Sequence, residues 1–256
     1  MKLQKFVRTS TLLFSMTAAV AAVSSAHAAT TSVVLVHGAL ADSSVWSKVI
    51  PLLQRKGLDV VSVRIPLSSL ADDVAATKRA IDAQPGNVVL VGHSWSGAVI
   101  TEAGNSDKVK SLVYLAAYAP DVGQSIAEMG KSHPPAPGFA HVKVDGAGYL
   151  SISKEGMSKH FAQDLPAATT ALMAVTQGPI QTKAFEQKLS AAAWKSKPSW
   201  YLVADADHMM QPAFQLEMAK NIGARIANVN TGHVPQLSQP KKVAALILEA
   251  AALPSK

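Results

Sequence analysis

A serine, an aspartate and a histidine, widely spaced in the chain, each lie just past an apolar run, and together they could carry out nucleophilic acyl transfer. The serine falls in Val88-Val89-Leu90-Val91-Gly92-His93-Ser94-Trp95-Ser96-Gly97-Ala98, where an apolar run meets small residues and then a helical pattern. A serine there sits on a strained strand-to-helix turn that lifts its hydroxyl above a sheet and aims the following backbone N–H groups at the same spot. Gly92 suits so tight a turn because a side chain would collide. The usual pattern is G-x-S-x-G, but here Ser96 takes the final place and Gly97 follows it.

A serine hydroxyl is a poor nucleophile near neutral pH, so a histidine must take its proton and a carboxylate must fix that histidine's tautomer. The expected chain order is serine, acid, histidine. His233, in Asn230-Thr231-Gly232-His233-Val234-Pro235, follows the last strand and is the base expected to swing back over Ser94. For the acid, the run Trp200-Tyr201-Leu202-Val203 leads into Ala204-Asp205-Ala206-Asp207-His208. Asp207 is favoured because it lies farther into the loop; Asp205 is then a turn or capping residue, and Asp121 is the outside choice. Upstream, Val33-Val34-Leu35-Val36 ends in His37-Gly38-Ala39. That loop and the residue after the nucleophile nominate the backbone amides of Ala39 and Trp95 as an oxyanion hole. His37 reads as a residue that orders the loop. His133, His141, His160 and His208 read as surface or cap residues, because no pair has metal-site spacing with nearby acids. Trp95 and Trp194 are candidates to line a pocket.

The elements that must position these residues follow from the alternation of short β-branched runs with amphipathic stretches, the pattern of parallel strands joined by crossover helices. Six strands are expected: Ser32 to Val36, Val60 to Arg64, Val88 to Val91, Ser111 to Ala116, Ser199 to Val203 and Arg225 to Val229. Their apolar continuity suits strands covered on both faces. Val45, Val49, Leu52 and Leu53 recur at helical spacing before Gly57, and Ser68 or Ser69 can cap the next helix with Asp72 and Asp73 in its first turn. Pro85-Gly86-Asn87 turns the chain. A last helix from about Pro240 would bury Val243, Leu246, Ile247 and Ala250. The interval from about 120 to 197 breaks the rhythm with His133-Pro134-Pro135-Ala136-Pro137-Gly138 and weakly amphipathic segments, and reads as an inserted helical cap. The fold class is therefore α/β: a mostly parallel sheet of about six strands flanked by helices, interrupted by a cap.

At 256 residues the chain fits one domain, and 48% hydrophobic against 16% charged residues excludes a disordered chain. Residues 1–28 read as a signal peptide: Lys2, Lys5 and Arg8 precede an apolar stretch from Thr11 to Val23 and the small-x-small triplet Ala26-His27-Ala28. Export to a bacterial periplasm or the medium follows, with no stable membrane anchor after processing. Without the leader the chain carries 21 cations against 17 anions, a net +4, and they are scattered, unlike a nucleic-acid surface. With no cysteine, disulfides, thiol catalysis and thiolate metal sites are excluded.

From about Ser32 to Ile247 the chain resembles the α/β-hydrolase superfamily, and within it the small esterases similar to plant methyl-salicylate and methyl-jasmonate esterases and hydroxynitrile lyases. LVHGA, SSVWSKVIPLLQRKG, LVGHSWSGAVI, ADADHMM and GHVPQLSQP carry the likeness. The resemblance implies a Ser-His-Asp triad, no cofactor, and a small hydrophobic ester bound beneath a helical cap. The lyase branch has a threonine after the first-strand histidine and a lysine after the catalytic one, places held here by Gly38 and Val234. That departure favours ester hydrolysis over cyanohydrin cleavage. Ser94 in place of an elbow aspartate argues against the dehalogenase branch. The alternatives are a ligand-binding or receptor-like protein on the same fold, a hydroxynitrile lyase and a perhydrolase.

Overall fold

A computed structural model describes residues 31–253, so the signal-peptide reading over 1–28 lies outside the described residues. Nine strands run in chain order: β1 (Thr31–Val36), β2 (Asp59–Val63), β3 (Asn87–His93), β4 (Val109–Leu115), β5 (Val142–Val144), β6 (Tyr149–Ile152), β7 (Ile180–Gln181), β8 (Ser199–Ala204) and β9 (Arg225–Val229). Six of them make one sheet in the order β2-β1-β3-β4-β8-β9, every pairing parallel. The six expected strands are all present, with ends displaced by at most two residues. Val33 to Val36 and Val88 to Val91 are buried throughout, as strands covered on both faces require, whereas the edge strands β2 and β9 are partly open.

The helices on this sheet include α1 (Ile50–Gln54), α2 (Leu70–Asp82) and α3 (Ser96–Ala103). Gly57, with φ +79°, sits in the left-handed conformation that ends the turn after α1. Ser69 rather than Ser68 caps α2, its side chain accepting the Asp72 N–H. Asp72 and Asp73 both lie in the first turn of α2, as expected, and Asp73 is wholly buried there.

Between β4 and β8 lies the expected insertion, with α4 (Ile126–Met129), α5 (Lys154–Gly156), a π-helical turn over Met157–Phe161 and α6 (Ala167–Thr176). It also holds a three-stranded antiparallel sheet, β5-β6-β7. Strands of two to four residues are too short for alternation to stand out, so the sequence reading found only the helical part. After β8 come α7 (Pro212–Asn221), α8 (Pro235–Ser238) and α9 (Pro240–Ala251), the last burying Val243, Leu246, Ile247 and Ala250 as its spacing predicts. Among the described residues, no helix is long and apolar enough to cross a membrane.

Candidate active site

From β1 the chain goes outward to β2 on one side, and from β3 it goes outward to β4 on the other, so the crevice beyond the carboxyl ends of β1 and β3 is the sheet's switch point, where ligands bind in open α/β sheets. Register fixes what meets there. Val36 pairs with Gly92, which brings His37-Gly38-Ala39 beside His93-Ser94. A Cβ on Gly38 would lie 2.9 Å from the Ser94 Cβ, so only glycine lets the loop approach the serine this closely.

Ser94 has φ +55°, a strained value for a residue with a side chain, and it marks the turn from β3 into α3. Three contacts hold that turn. A Cβ on Gly92 would meet the Ser96 carbonyl at 2.8 Å, and one on Gly97 would meet the Tyr118 carbonyl at 2.0 Å. Gly97 is therefore the glycine the helix needs for close packing. Ser96, wholly buried, accepts the His93 N–H through its hydroxyl at 2.8 Å and lies 2.7 Å from the Val36 carbonyl and 2.9 Å from that of His93. The departure from G-x-S-x-G thus ties the end of β1 to the end of β3.

The candidate acid and base arrive on neighbouring strands. Ala204, the end of β8, pairs with Val229, the end of β9, and each strand runs into a loop toward Ser94. The Ser94 hydroxyl lies 2.8 Å from His233 Nε2, and His233 Nδ1 lies 2.6 Å from Asp207 Oδ2. With Nδ1–H donating to the carboxylate, Nε2 is left to accept the serine proton, the tautomer that general-base catalysis needs. Asp205 is exposed and accepts from the Asn228 side chain, while Asp121 pairs with Lys195 at 2.6 Å; neither reaches the histidine.

Several residues that sequence reasoning did not single out support this chain. Asp207, 3% exposed, also accepts the backbone N–H groups of Met209 and Met210 and a donor from Gln215 Nε2 at 2.8 Å. Gln215 stands on α7, eight residues downstream, and a glutamine in an amphipathic stretch gives no signal of that role. His93 donates through Nε2 to the His233 carbonyl at 2.7 Å and is held well below its ordinary pKa by burial and by the neighbouring His233. Phe161 meets the His233 ring edge-on at 5.0 Å. His37 accepts the Ile65 N–H and donates to the Gly38 carbonyl, the loop-ordering role read from its position.

The Leu40 N–H is taken by the Gly178 carbonyl and the Ser94 N–H by Leu115, whereas those of Ala39 and Trp95 have no hydrogen-bond partner among the described residues. Both residues border a cavity of about 330 Å³ that opens on Ser94 and His233. Phe161, Phe185, Phe214, Met209, Met210 and Leu150 make much of its wall, and among the described residues no Asp, Glu, Lys or Arg lines it. Burial, and to a lesser degree Asp207, push the lining Tyr118 up to about 12, so its hydroxyl stays protonated. Trp95 lines the cavity as one of the two candidate tryptophans; Trp194 does not, and its indole N–H donates to the Pro120 carbonyl instead. His133 also lines it, and its ring lies tilted against that of Phe214, with centroids 4.2 Å apart.

A parallel sheet carrying a serine elbow, with acid and base loops on its last two strands, has the architecture of the α/β hydrolases. The chain belongs to the alpha/beta hydrolase family, whose model matches residues 33–246. It is 29% identical over 242 residues to Alpha/beta hydrolase nvfD of Aspergillus novofumigatus, covering 86% of this chain and 96% of that protein. It is 25% identical over 242 residues to Methylesterase 2 of Arabidopsis thaliana, covering 81% and 91%. In structure it is similar to polyneuridine aldehyde esterase, with a TM-score of 0.78 at 20% identity over 86% of this chain and 98% of that one.

Proposed function

We propose that the protein is an exported carboxylesterase that cleaves small hydrophobic esters through an acyl-enzyme intermediate. The observation that carries this reading is the continuous hydrogen-bonded chain from Ser94 through His233 to Asp207, opening on an apolar cavity that no Asp, Glu, Lys or Arg among the described residues lines. Ser94 Oγ attacks the ester carbonyl carbon while His233 Nε2 takes its proton. Asp207 steadies the imidazolium. The N–H groups of Ala39 and Trp95 receive the oxyanion, each such donor contributing on the order of 3 kcal/mol in the transition state. The alcohol leaves with the proton from His233; water, deprotonated by the same nitrogen, then attacks the acyl carbon and releases the acid. The reading of 1–28 as a signal peptide supports export.

The names of relatives, a methylesterase among them, support an ester substrate. Two positions favour hydrolysis over cyanohydrin cleavage. Gly38 presents no side chain beside Ser94, and the wholly buried Val234 provides no ammonium next to His233. The test is hydrolysis of short p-nitrophenyl esters by the purified protein and by Ser94→Ala, with folding checked by circular dichroism. Activity is expected to vanish in the folded variant. Equal activity in the variant, or an inert wild type with a strong ligand-induced rise in Tm, would replace this reading with a binding role.

A further inference from the structure

Asp73 is a wholly buried carboxylate with no cationic partner among the described residues. Such a group costs stability unless donors satisfy it. It does not cap its own helix, a task Ser69 performs. Instead, its Oδ2 accepts the indole N–H of Trp95 at 2.8 Å and its Oδ1 accepts the Leu67 backbone N–H at 2.7 Å. Burial pushes its pKa up to about 6, so the fold bears a cost in keeping it ionised at neutral pH.

Both donors lead to the reacting centre. Trp95 follows the nucleophile, its side chain is 1% exposed, and its ring meets Phe185 edge-on at 5.1 Å where both border the cavity. Leu67, itself at φ +60°, accepts the Gln181 N–H through its carbonyl. Three residues earlier in that cap segment, the Gly178 carbonyl takes the Leu40 N–H, beside Ala39. Asp73 is thus the node joining the nucleophile elbow, the loop before α2, and the cap segment that steadies the Ala39 loop.

We propose that Asp73 is a positioning residue: by holding the Trp95 indole it fixes the direction of the Trp95 N–H toward the oxyanion and the cavity wall that Trp95 shares with Phe185. This rests on the esterase reading above. An anchor of this kind acts on the transition state more than on the bound ester, since the oxyanion forms only there.

Asp73→Asn and Trp95→Phe, singly and together, test it with p-nitrophenyl acetate as substrate and an aliphatic trifluoromethyl ketone as a probe of the oxyanion hole. Ser94 adds to that ketone's carbonyl and gives its proton to His233, leaving a hemiketal oxyanion. Each single variant is expected to lower kcat about tenfold with KM within twofold, and to weaken the ketone by a similar factor. The double variant should lose no more than the worse single one, because both remove one contact. Wild-type kcat in either folded single variant, losses that multiply in the double, or a change confined to KM would overturn the proposal. If Asp73→Asn does not fold, Trp95→Phe decides alone on the same kcat criterion. Ser94→Ala separates the two readings: an active Ser94→Ala removes the esterase itself, while an inactive one beside unimpaired Asp73→Asn and Trp95→Phe removes only this inference.

Discussion

Asp207 receives donors on both oxygens: two backbone N–H groups on Oδ1, and Gln215 with His233 on Oδ2. Replacing it with asparagine would keep an acceptor for Met209 and Met210 yet favour the wrong His233 tautomer. Asp207→Asn is therefore expected to lower kcat by about 10⁴ with its circular dichroism spectrum unchanged; a loss under tenfold would point to another acid. Ser96 makes the opposite kind of prediction. Restoring the usual motif residue with Ser96→Gly would remove the hydroxyl bonded to β1 and β3 and leave the buried His93 N–H unpaired. The cost should be roughly 1–3 kcal/mol in unfolding free energy, read as a lower midpoint in urea. A variant as stable as the wild type would mean that the hydroxyl is idle.

At the scale of elements, the cap and the acid loop meet through three histidines. The His160 ring lies 4.7 Å from that of His141 and 5.4 Å from that of His208, the neighbour of Asp207, and the next cap residue, Phe161, touches His233. Burial first, and then the nearby His141, His208 and Lys159, lower the His160 pKa, with Glu155 opposing them. A depressed histidine favours the folded state above the ordinary value of 6.5 and withdraws that support as pH falls below it. Acidification from pH 7 to pH 5 should therefore lower the amide protection factors over residues 157–165, each taken against the intrinsic exchange rate at that pH, and lower them less in His160→Gln. Identical exchange in variant and wild type would dismiss the histidine contact as the cause. The gathering itself was not legible: His141, His160 and His208 come from three separate segments, and only the packing of the cap onto β8's loop brings them together.

Across the whole molecule, Asp73 and the buried histidines set opposing pH dependences. The Asp73 pKa rises from 3.8 to about 6 on folding, so the folded state binds the extra proton. Its contribution is complete below 3.8 and is lost as pH rises through about 6. His37 and His93, both depressed chiefly by burial, lose theirs as pH falls below 6.5. The histidines dominate the wild-type profile in number, but a comparison with Asp73→Asn isolates the carboxylate. Going from pH 8 to pH 5, the wild type should gain roughly 1.5 kcal/mol relative to that variant, about half of the full effect. Thermal melts whose difference stays constant with pH would show that Asp73 does not titrate there.

The sequence by itself determined the sheet and the order of the chemistry along it. Short β-branched apolar runs such as Val88 to Val91 suit strands covered on both faces, and small residues after such a run leave room for a serine elbow. These are local facts, set by steric limits and by hydrophobic periodicity, and they made Ser94 and His233 legible and favoured Asp207 over Asp205. Tertiary structure alone decided which acid reaches the histidine, since Asp205 and Asp207 differ by two residues and only the pairing of β8 with β9 and the reach of Gln215 aim one of them inward. It also decided the short cap sheet, the brace made by Ser96, and the partner of Asp73. Trp95 stands 22 residues beyond Asp73, and a hydrogen bond between side chains on separate elements leaves no periodic trace in either segment.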